Sequence, residues 1–193
     1  MKIIISVSCF MVLSISALVL AHGGATGVVK ERMDLMENLK GAMKTLKPMM
    51  RGQKDYDVDT VKQNAAIIRD NAGNHMTKLF SEGSLKMPSE ARPEIWIQWE
   101  EFQRIADNLE RLGQALHDGA ENNQTAGPNT MGGPGMMRQG HMMEDGMMSG
   151  SRNAMHELDN MTDEQLAAMP AASLFRMIGQ NCSACHKEYR VEQ

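Results

Sequence analysis

Two cysteines and a histidine near the end of the chain occur in the order Cys182-x-x-Cys185-His186. At this spacing two thiols can attach haem covalently, and the neighbouring imidazole can bind its iron. On a helix, residues 182, 185, 186 and 189 are three, four and seven positions apart, so they share one face. The motif therefore predicts a helix that holds a flat porphyrin against that face.

Three other kinds of site also use a Cys-x-x-Cys pair. A dithiol redox site of the thioredoxin kind opens a helix within an α/β fold, and this sequence has no strand pattern. A structural disulfide is compatible with export, although a bridge three residues apart on a helix constrains little. A zinc site normally needs four ligands at wider spacing. Haem attachment is the favoured interpretation, with these three as alternatives.

Residues 1–21 have the features of a secretory signal. Lys2 is the positive start, an apolar run extends from Ile3 to Leu20, and Val19-Leu20-Ala21 suits a signal peptidase. A transmembrane anchor is the alternative, because the run is nearly long enough to span a bilayer. We favour cleavage, which would leave Cys182 and Cys185 as the two cysteines of the mature protein. The expected location is the periplasm, without stable membrane insertion.

The charge and composition argue against several functions. The formal net charge is −4, and no basic stripe is interleaved with aromatic residues, so nucleic-acid binding is not expected. No nucleophile paired with a base is evident, so an enzyme is not expected either. Hydrophobic residues make up 42% of the chain, which is enough for a core. Methionine is unusually frequent at 20 residues, and part of it suits irregular gaps in such a core.

Apolar residues recur every three or four positions in four long stretches, which is the spacing of buried helix faces. The predicted helices are residues 28–46, residues 59–80, a helix from Pro93 to about residue 116, and a last helix from Pro170 through the haem motif. A short helix with a capping box is predicted at Thr162 and Gln165. Together they predict an all-α, antiparallel four-helix bundle, with haem attached near its C-terminus.

Residues 118–152 break this periodicity. Glycine at such density, without branched apolar residues, cannot build a packed core, so we expect a flexible insertion. It contains His141 and seven methionines: Met131, Met136, Met137, Met142, Met143, Met147 and Met148. Thioethers are soft ligands that suit Cu(I). A copper site is therefore one interpretation of this insertion, and a flexible linker of biased composition is the other.

The chain also carries four stretches in a characteristic order: Val29-Lys30-Glu31-Arg32-Met33-Asp34-Leu35-Met36, then Leu79-Phe80-Ser81-Glu82-Gly83-Ser84, then Arg92-Pro93-Glu94-Ile95-Trp96, and finally Cys182-x-x-Cys185-His186-x-x-Tyr189-Arg190. Together they resemble the class II c-type cytochromes, that is, cytochrome c-prime and its low-spin relatives. The resemblance spans the mature chain except residues 118–160. It implies a left-handed bundle with haem between the first and last helices.

The resemblance also implies roles for single residues. His186 is implied as the proximal ligand of the haem iron, and Met36 falls where the family places the residue over the distal face. In cytochrome c-prime that residue is usually apolar, which leaves iron open to nitric oxide or carbon monoxide, whereas in the low-spin branch it is a bound methionine. Arg32 and Arg190 are implied partners of the haem propionates. A core role for Met36, or iron binding by His75, are the alternatives.

Three functions follow from these expectations. The leading one is an electron carrier whose low-spin haem is ligated by His186 and Met36, and which docks with redox partner proteins. The second is a binder of nitric oxide or carbon monoxide with an open distal face. The third is a copper-handling protein that uses the methionine-rich insertion. A homodimer through the first two helices is implied by the resemblance alone.

Overall fold

The computed structural model describes residues 24–122 and 158–191. The helices are α1 (Gly27–Met50), α2 (Val58–Asp70), α3 (Gly73–Thr77), α4 (Glu94–Ile97), α5 (Trp99–Asp118), α6 (Asp163–Ala167) and α7 (Ala171–Tyr189). In these two ranges the only extended pairing is one antiparallel bridge between Ala91 and Arg190. None of the helices seen there combines the length and apolarity needed to cross a bilayer.

Contacts made by the long helices and by residues just beyond their ends show that successive long helices run in opposite directions. The pairs are Arg32 with Leu79 and Asn38 with Asn71, Lys62 with Glu121 and Arg69 with Gln114, and Ile105 with Asn181 and Phe102 with Tyr189. As residue numbers rise on one helix, they fall on the next. The helices α1, α2, α5 and α7 therefore form an antiparallel four-helix bundle, which confirms the predicted fold class.

The core lies along α5, which packs against α2, α3, α6 and α7. Phe102, Leu112 and Leu116 of α5 are at most 2% exposed, and Leu174 and Ile178 of α7 are fully buried. Burial of each such side chain stabilises the fold by roughly 1.5–3 kcal/mol relative to leaving it in water. Since these residues recur every three or four positions, α7 is held against α5 over most of its length.

The second predicted helix is interrupted, and its prediction as one helix over residues 59–80 was wrong. The side chain of Asn71 donates to the Ile67 carbonyl at 2.8 Å, which ends α2, and α3 begins at Gly73. Gly73 has a φ of +51°, and the Glu110 carboxylate occupies the place where a Cβ would lie. A φ in this region favours glycine, and the irregular backbone at Asn71 and Ala72 separates α2 from α3.

Two other helix boundaries differ from the prediction. Pro48 does not end α1, which continues through it to Met50, and Gly52 follows the C-cap residue Arg51 at φ +66°. The third predicted helix bends at Gln98 (φ −117°, ψ 44°), which separates α4 from α5. The Tyr189 hydroxyl lies 3.3 Å from the Gln98 side-chain oxygen and donates to it.

The start of the insertion is more ordered than predicted. The α5 helix extends to Asp118, and Ala120 is fully buried. Asn122 donates to the Ala167 carbonyl at 2.7 Å and accepts from the Ala171 amide at 3.2 Å, so this turn is held against the start of α7. Residues 123–157 and the signal at 1–21 lie outside the described ranges, so those predictions stay predictions.

Gly113 marks the closest approach of α5 to α2. A Cβ on Gly113 would lie 2.7 Å from the backbone nitrogen of Arg69 and 3.0 Å from its Cα, atoms that cannot rotate away. We expect Gly113→Ala to destabilise the fold by about 1–3 kcal/mol, because the helices must separate. Urea unfolding followed by circular dichroism measures this change.

Gly41 of α1 is the matched control, since a Cβ there would meet no described atom within 4 Å apart from neighbouring residues and its own helix backbone. Gly41→Ala should stabilise the fold by roughly 0.5–1 kcal/mol through helix propensity. Equal effects at the two sites would contradict the close packing of α2 on α5.

Candidate haem site

The orientation of α7 sets the direction in which the motif faces. Asn181 and Tyr189 are both 3% exposed and continue the buried stripe toward α5. The Asn181 amide donates to the Ile105 carbonyl at 3.0 Å, and the Tyr189 ring packs edge-on to Phe102 with centroids 5.4 Å apart. These contacts fix the rotation of α7, so the cysteines lie beside this stripe and at the edge of the core.

Cys182 and Cys185 are free thiols that are half-buried against the core. Burial raises the pKa of Cys182 to about 11. Burial, together with the nearby Cys182, raises the pKa of Cys185 to about 12. Redox-active dithiols instead have lowered pKa values. The protonated thiols and the all-helical surroundings therefore do not fit a thioredoxin-like site, and the thiols form no structural disulfide.

His186 is exposed, unlike the neighbouring cysteines. Partial desolvation lowers the pKa of its imidazole, and the Arg190 cation lowers it further, while Glu90 opposes the shift. A lowered pKa keeps a lone pair available for a metal. The expectation that residues 182, 185, 186 and 189 share one face needs refinement. Tyr189 is in the core, the thiols are at its edge and His186 faces outward.

Counting along the helices places Met36 of α1 near the level of His186. Met43 Cε is 4.0 Å from the position that a Cβ on Gly179 would take, so the Met43 side chain reaches the level of Gly179. The helices α1 and α7 are antiparallel neighbours. Moving seven residues toward the N-terminus of α1 and seven residues toward the C-terminus of α7 therefore advances about 10 Å in the same direction along the bundle. The residues at these positions are Met36 and His186. Met36 lies on the same face of α1 as Met43, and His186 lies on the same face of α7 as Gly179.

Met36 itself is half-buried and packs against the edge of the core. The methionine is therefore neither enclosed in the core nor free in solvent. The rival donor His75 is exposed on α3, with its Nδ1 3.4 Å from Lys78 Nζ. That environment is a solvated surface.

Arg32 is 5% exposed and binds the loop that follows α3. Its Nε donates to the Leu79 carbonyl at 2.7 Å and its Nη1 to Ser89 Oγ at 3.3 Å. Its Nη2 donates to the Ser84 carbonyl at 3.0 Å and to Ser84 Oγ. These bonds use four of the five N–H donors of a guanidinium. Contact with a haem propionate stays a prediction, and the loop contacts are an additional role that the sequence did not indicate.

Arg190 is paired with Glu90, with its Nε and Nη2 2.8 and 2.7 Å from the same carboxylate oxygen. Both side chains are nearly half exposed, so the pair contributes little stability by itself. Its propionate role also stays a prediction. Sequence spacing gave no indication that Glu90 pairs with Arg190, because the two residues are 100 positions apart.

The donor set suits haem c. Two neighbouring thiols can form thioether links, His186 offers an imidazole, and Met36 offers a thioether at the same level on the facing helix. Within residues 24–122 and 158–191, no group of three or more His, Cys, Asp or Glu side chains could hold a metal ion. The zinc interpretation therefore has no support in this part of the chain. The methionine-rich copper prediction falls outside it and stays a prediction.

Comparison with known proteins supports this interpretation. A family model described as Cytochrome C' matches residues 27–133, which is more than half of the chain and does not include the haem motif. Cytochrome c-556 of Agrobacterium tumefaciens (strain B2A) is 35% identical over 43% of this chain and 66% of that relative. Cytochrome c-556 of Agrobacterium tumefaciens (strain II Chrys) is 24% identical over 86% of this chain and 99% of that relative.

Solved structures show the same fold. The crystal structure of cytochrome c' from Thermochromatium tepidum aligns with a TM-score of 0.55 at 20% identity, over 86% of this chain and 95% of that one. The family match at the N-terminal side and the Cys-x-x-Cys-His motif at the C-terminal side are independent observations. They agree on a four-helix bundle with covalent haem c, so this chain belongs to the cytochrome c' family.

Proposed function

We propose that this protein is a single-electron carrier whose haem iron is ligated by His186 and Met36. It is best supported by the helical count from Met43 and Gly179, which brings these two residues to about the same level on neighbouring antiparallel helices. Met36 and His186 would then each offer the haem iron one donor, from two neighbouring helices. Haem held in this way would supply electron transfer rather than substrate chemistry.

Each of these residues would have a separate role in binding haem. Cys182 and Cys185 would tether the group to α7, and their half-buried position would keep one side of it against the core. His186 would bind the iron as a neutral imidazole, which its lowered pKa favours. Met36 would offer a soft, neutral thioether, which favours the reduced metal. When bound, haem supplies one-electron oxidation and reduction at its iron.

The optical spectrum of the purified holo-protein tests this proposal. We expect a low-spin spectrum in the ferric and ferrous forms, with a far-red sulfur-to-iron band in the ferric form. Carbon monoxide should leave the ferrous spectrum unchanged, because Met36 would already occupy the sixth position. The measurement needs no redox partner.

The opposite result is equally informative. A high-spin spectrum that shifts on addition of carbon monoxide would contradict ligation by Met36. It would favour the alternative function, a binder of nitric oxide or carbon monoxide.

We also propose that the protein works in the periplasm with redox partner proteins. The support is the signal-like sequence of residues 1–21 and the covalent haem motif, which suits maturation outside the cytoplasm. The intact mass of the periplasmic protein should correspond to a chain that begins at His22 and carries one haem. A mass that retains residues 1–21 would contradict cleavage.

A further inference from the structure

We propose that Arg32 is a positioning residue, which clamps the loop of residues 79–92 onto α1 and so holds the turn that carries Met36. The role assigned to Met36 rests on the proposed function, whereas the clamp itself rests on contacts in this structure. Arg32 and Met36 are four residues apart on α1, so they lie one turn apart on the same helix face.

The first support is the burial and bonding of the guanidinium. A buried charge is costly unless its donors are bonded. Arg32 reaches three backbone or hydroxyl groups on Leu79 and Ser84, and a further hydroxyl on Ser89. Its Cζ also lies 4.6 Å from the ring centroid of Phe80, a cation–π contact. The Arg32 side chain therefore binds two parts of the loop that are ten residues apart, at Leu79 and at Ser89.

The second support is that the same loop is attached to the end of α7. The Arg92 amide donates to the Tyr189 carbonyl at 2.9 Å, and the Val191 amide donates to the Glu90 carbonyl at 2.8 Å. The loop therefore joins the N-terminal half of α1 to the last turn of the haem-motif helix. Its two anchors therefore connect the helix that carries Met36 with the helix that carries His186.

The third support is a continuous set of aromatic contacts beneath the loop. The Phe80 ring under Arg32 packs on Phe102 with centroids 5.0 Å apart, and Phe102 packs on Tyr189 at 5.4 Å. All three rings are at most 6% exposed. Tyr189 lies three residues after His186. A loss of the Arg32 contacts should therefore loosen the loop and the last turn of α7 together.

The experiment compares Arg32→Ala and Arg32→Lys holo-proteins with the parent. Amide hydrogen exchange of residues 79–89 should become at least about tenfold faster in both variants, because several buried bonds are lost. Lysine keeps the charge but lacks the planar fork of donors, so it should not restore protection. The far-red sulfur-to-iron band should weaken, and a fraction of the ferrous protein should bind carbon monoxide.

Arg111→Ala is the matched control. Arg111 also binds loop carbonyls, those of Met161 at 2.8 Å and Leu158 at 3.4 Å, but at the α5–α6 junction, in a different part of the chain. This variant should leave exchange in residues 79–89 and the far-red band at parent values. Changes equal to those of Arg32→Ala would overturn the proposal, because they would reflect general loosening of the bundle.

A second variant separates the clamp from a propionate contact and covers the case in which Arg32→Ala fails to fold. The double variant Ser84→Ala with Ser89→Ala keeps the guanidinium and removes two of its loop partners. Faster exchange in residues 79–89 would support the clamp, and parent-like exchange in this variant would overturn it. A high-spin parent spectrum would overturn the proposed function, while the exchange rates would still decide the clamp.

Discussion

Replacement of Met36 with leucine is expected to convert the haem from low spin to high spin. Leucine nearly conserves the volume and the apolar contacts, so the bundle should fold normally. It removes the sulfur that we propose as the distal ligand. The far-red band should disappear, the ferrous protein should bind carbon monoxide, and the reduction potential should fall by on the order of 0.1 V. Optical spectroscopy and a redox titration measure these changes.

Met43→Leu is the control for this substitution. Met43 lies seven residues after Met36 on the same face of α1. Its Cε lies beside Gly179 of α7, seven residues before His186. We expect a parent-like spectrum and potential from this variant. A Met36→Leu spectrum that matched the parent would contradict iron ligation and leave Met36 as a residue at the core edge.

The second large effect is expected when both motif cysteines are replaced. Cys182→Ser with Cys185→Ser should remove all covalently attached haem, because each thioether link needs a thiol. The intact mass should fall by one haem, and acidified organic solvent should extract any haem that remains. Each single replacement should leave one link and shift the spectrum of the denatured protein in alkaline pyridine.

Cys9→Ser is the matched control, since Cys9 lies within the signal-like segment that we expect to be removed. It should leave the haem content and the mature mass unchanged. Covalent haem that survived the double replacement of Cys182 and Cys185 would contradict their role as attachment sites.

The helix content and the attachment chemistry could be predicted from sequence because both depend on near neighbours in the chain. The three-to-four spacing of apolar residues defined the stripes of α1, α5 and α7. The spacing of Cys182, Cys185 and His186 is itself the chemical requirement for covalent haem. The capping box at Thr162 and Gln165 is equally local, and both of its hydrogen bonds are present in α6.

Local spacing was a poorer guide where packing between distant residues decides the backbone. The break before Gly73 accompanies the packing of α3 on α5, and the bend at Gln98 accompanies a hydrogen bond from Tyr189. The family resemblance implies that Arg32 contacts a haem propionate, and this stays a prediction. Its partners on residues 79–89 come from a loop 47 or more positions away.

The sequence by itself thus predicted a helical bundle, and the Cys182-x-x-Cys185-His186 spacing indicated the three residues that we expect to attach and ligate haem. Three features were decided only by the tertiary structure: the level at which Met43 of α1 meets Gly179 of α7, the bonds of Arg32 to the loop, and the pairing of Glu90 with Arg190. The physical reason is that helix periodicity states which side of a helix is buried. It does not state at what height two distant helices meet, because side-chain packing along α5 and α7 sets that height.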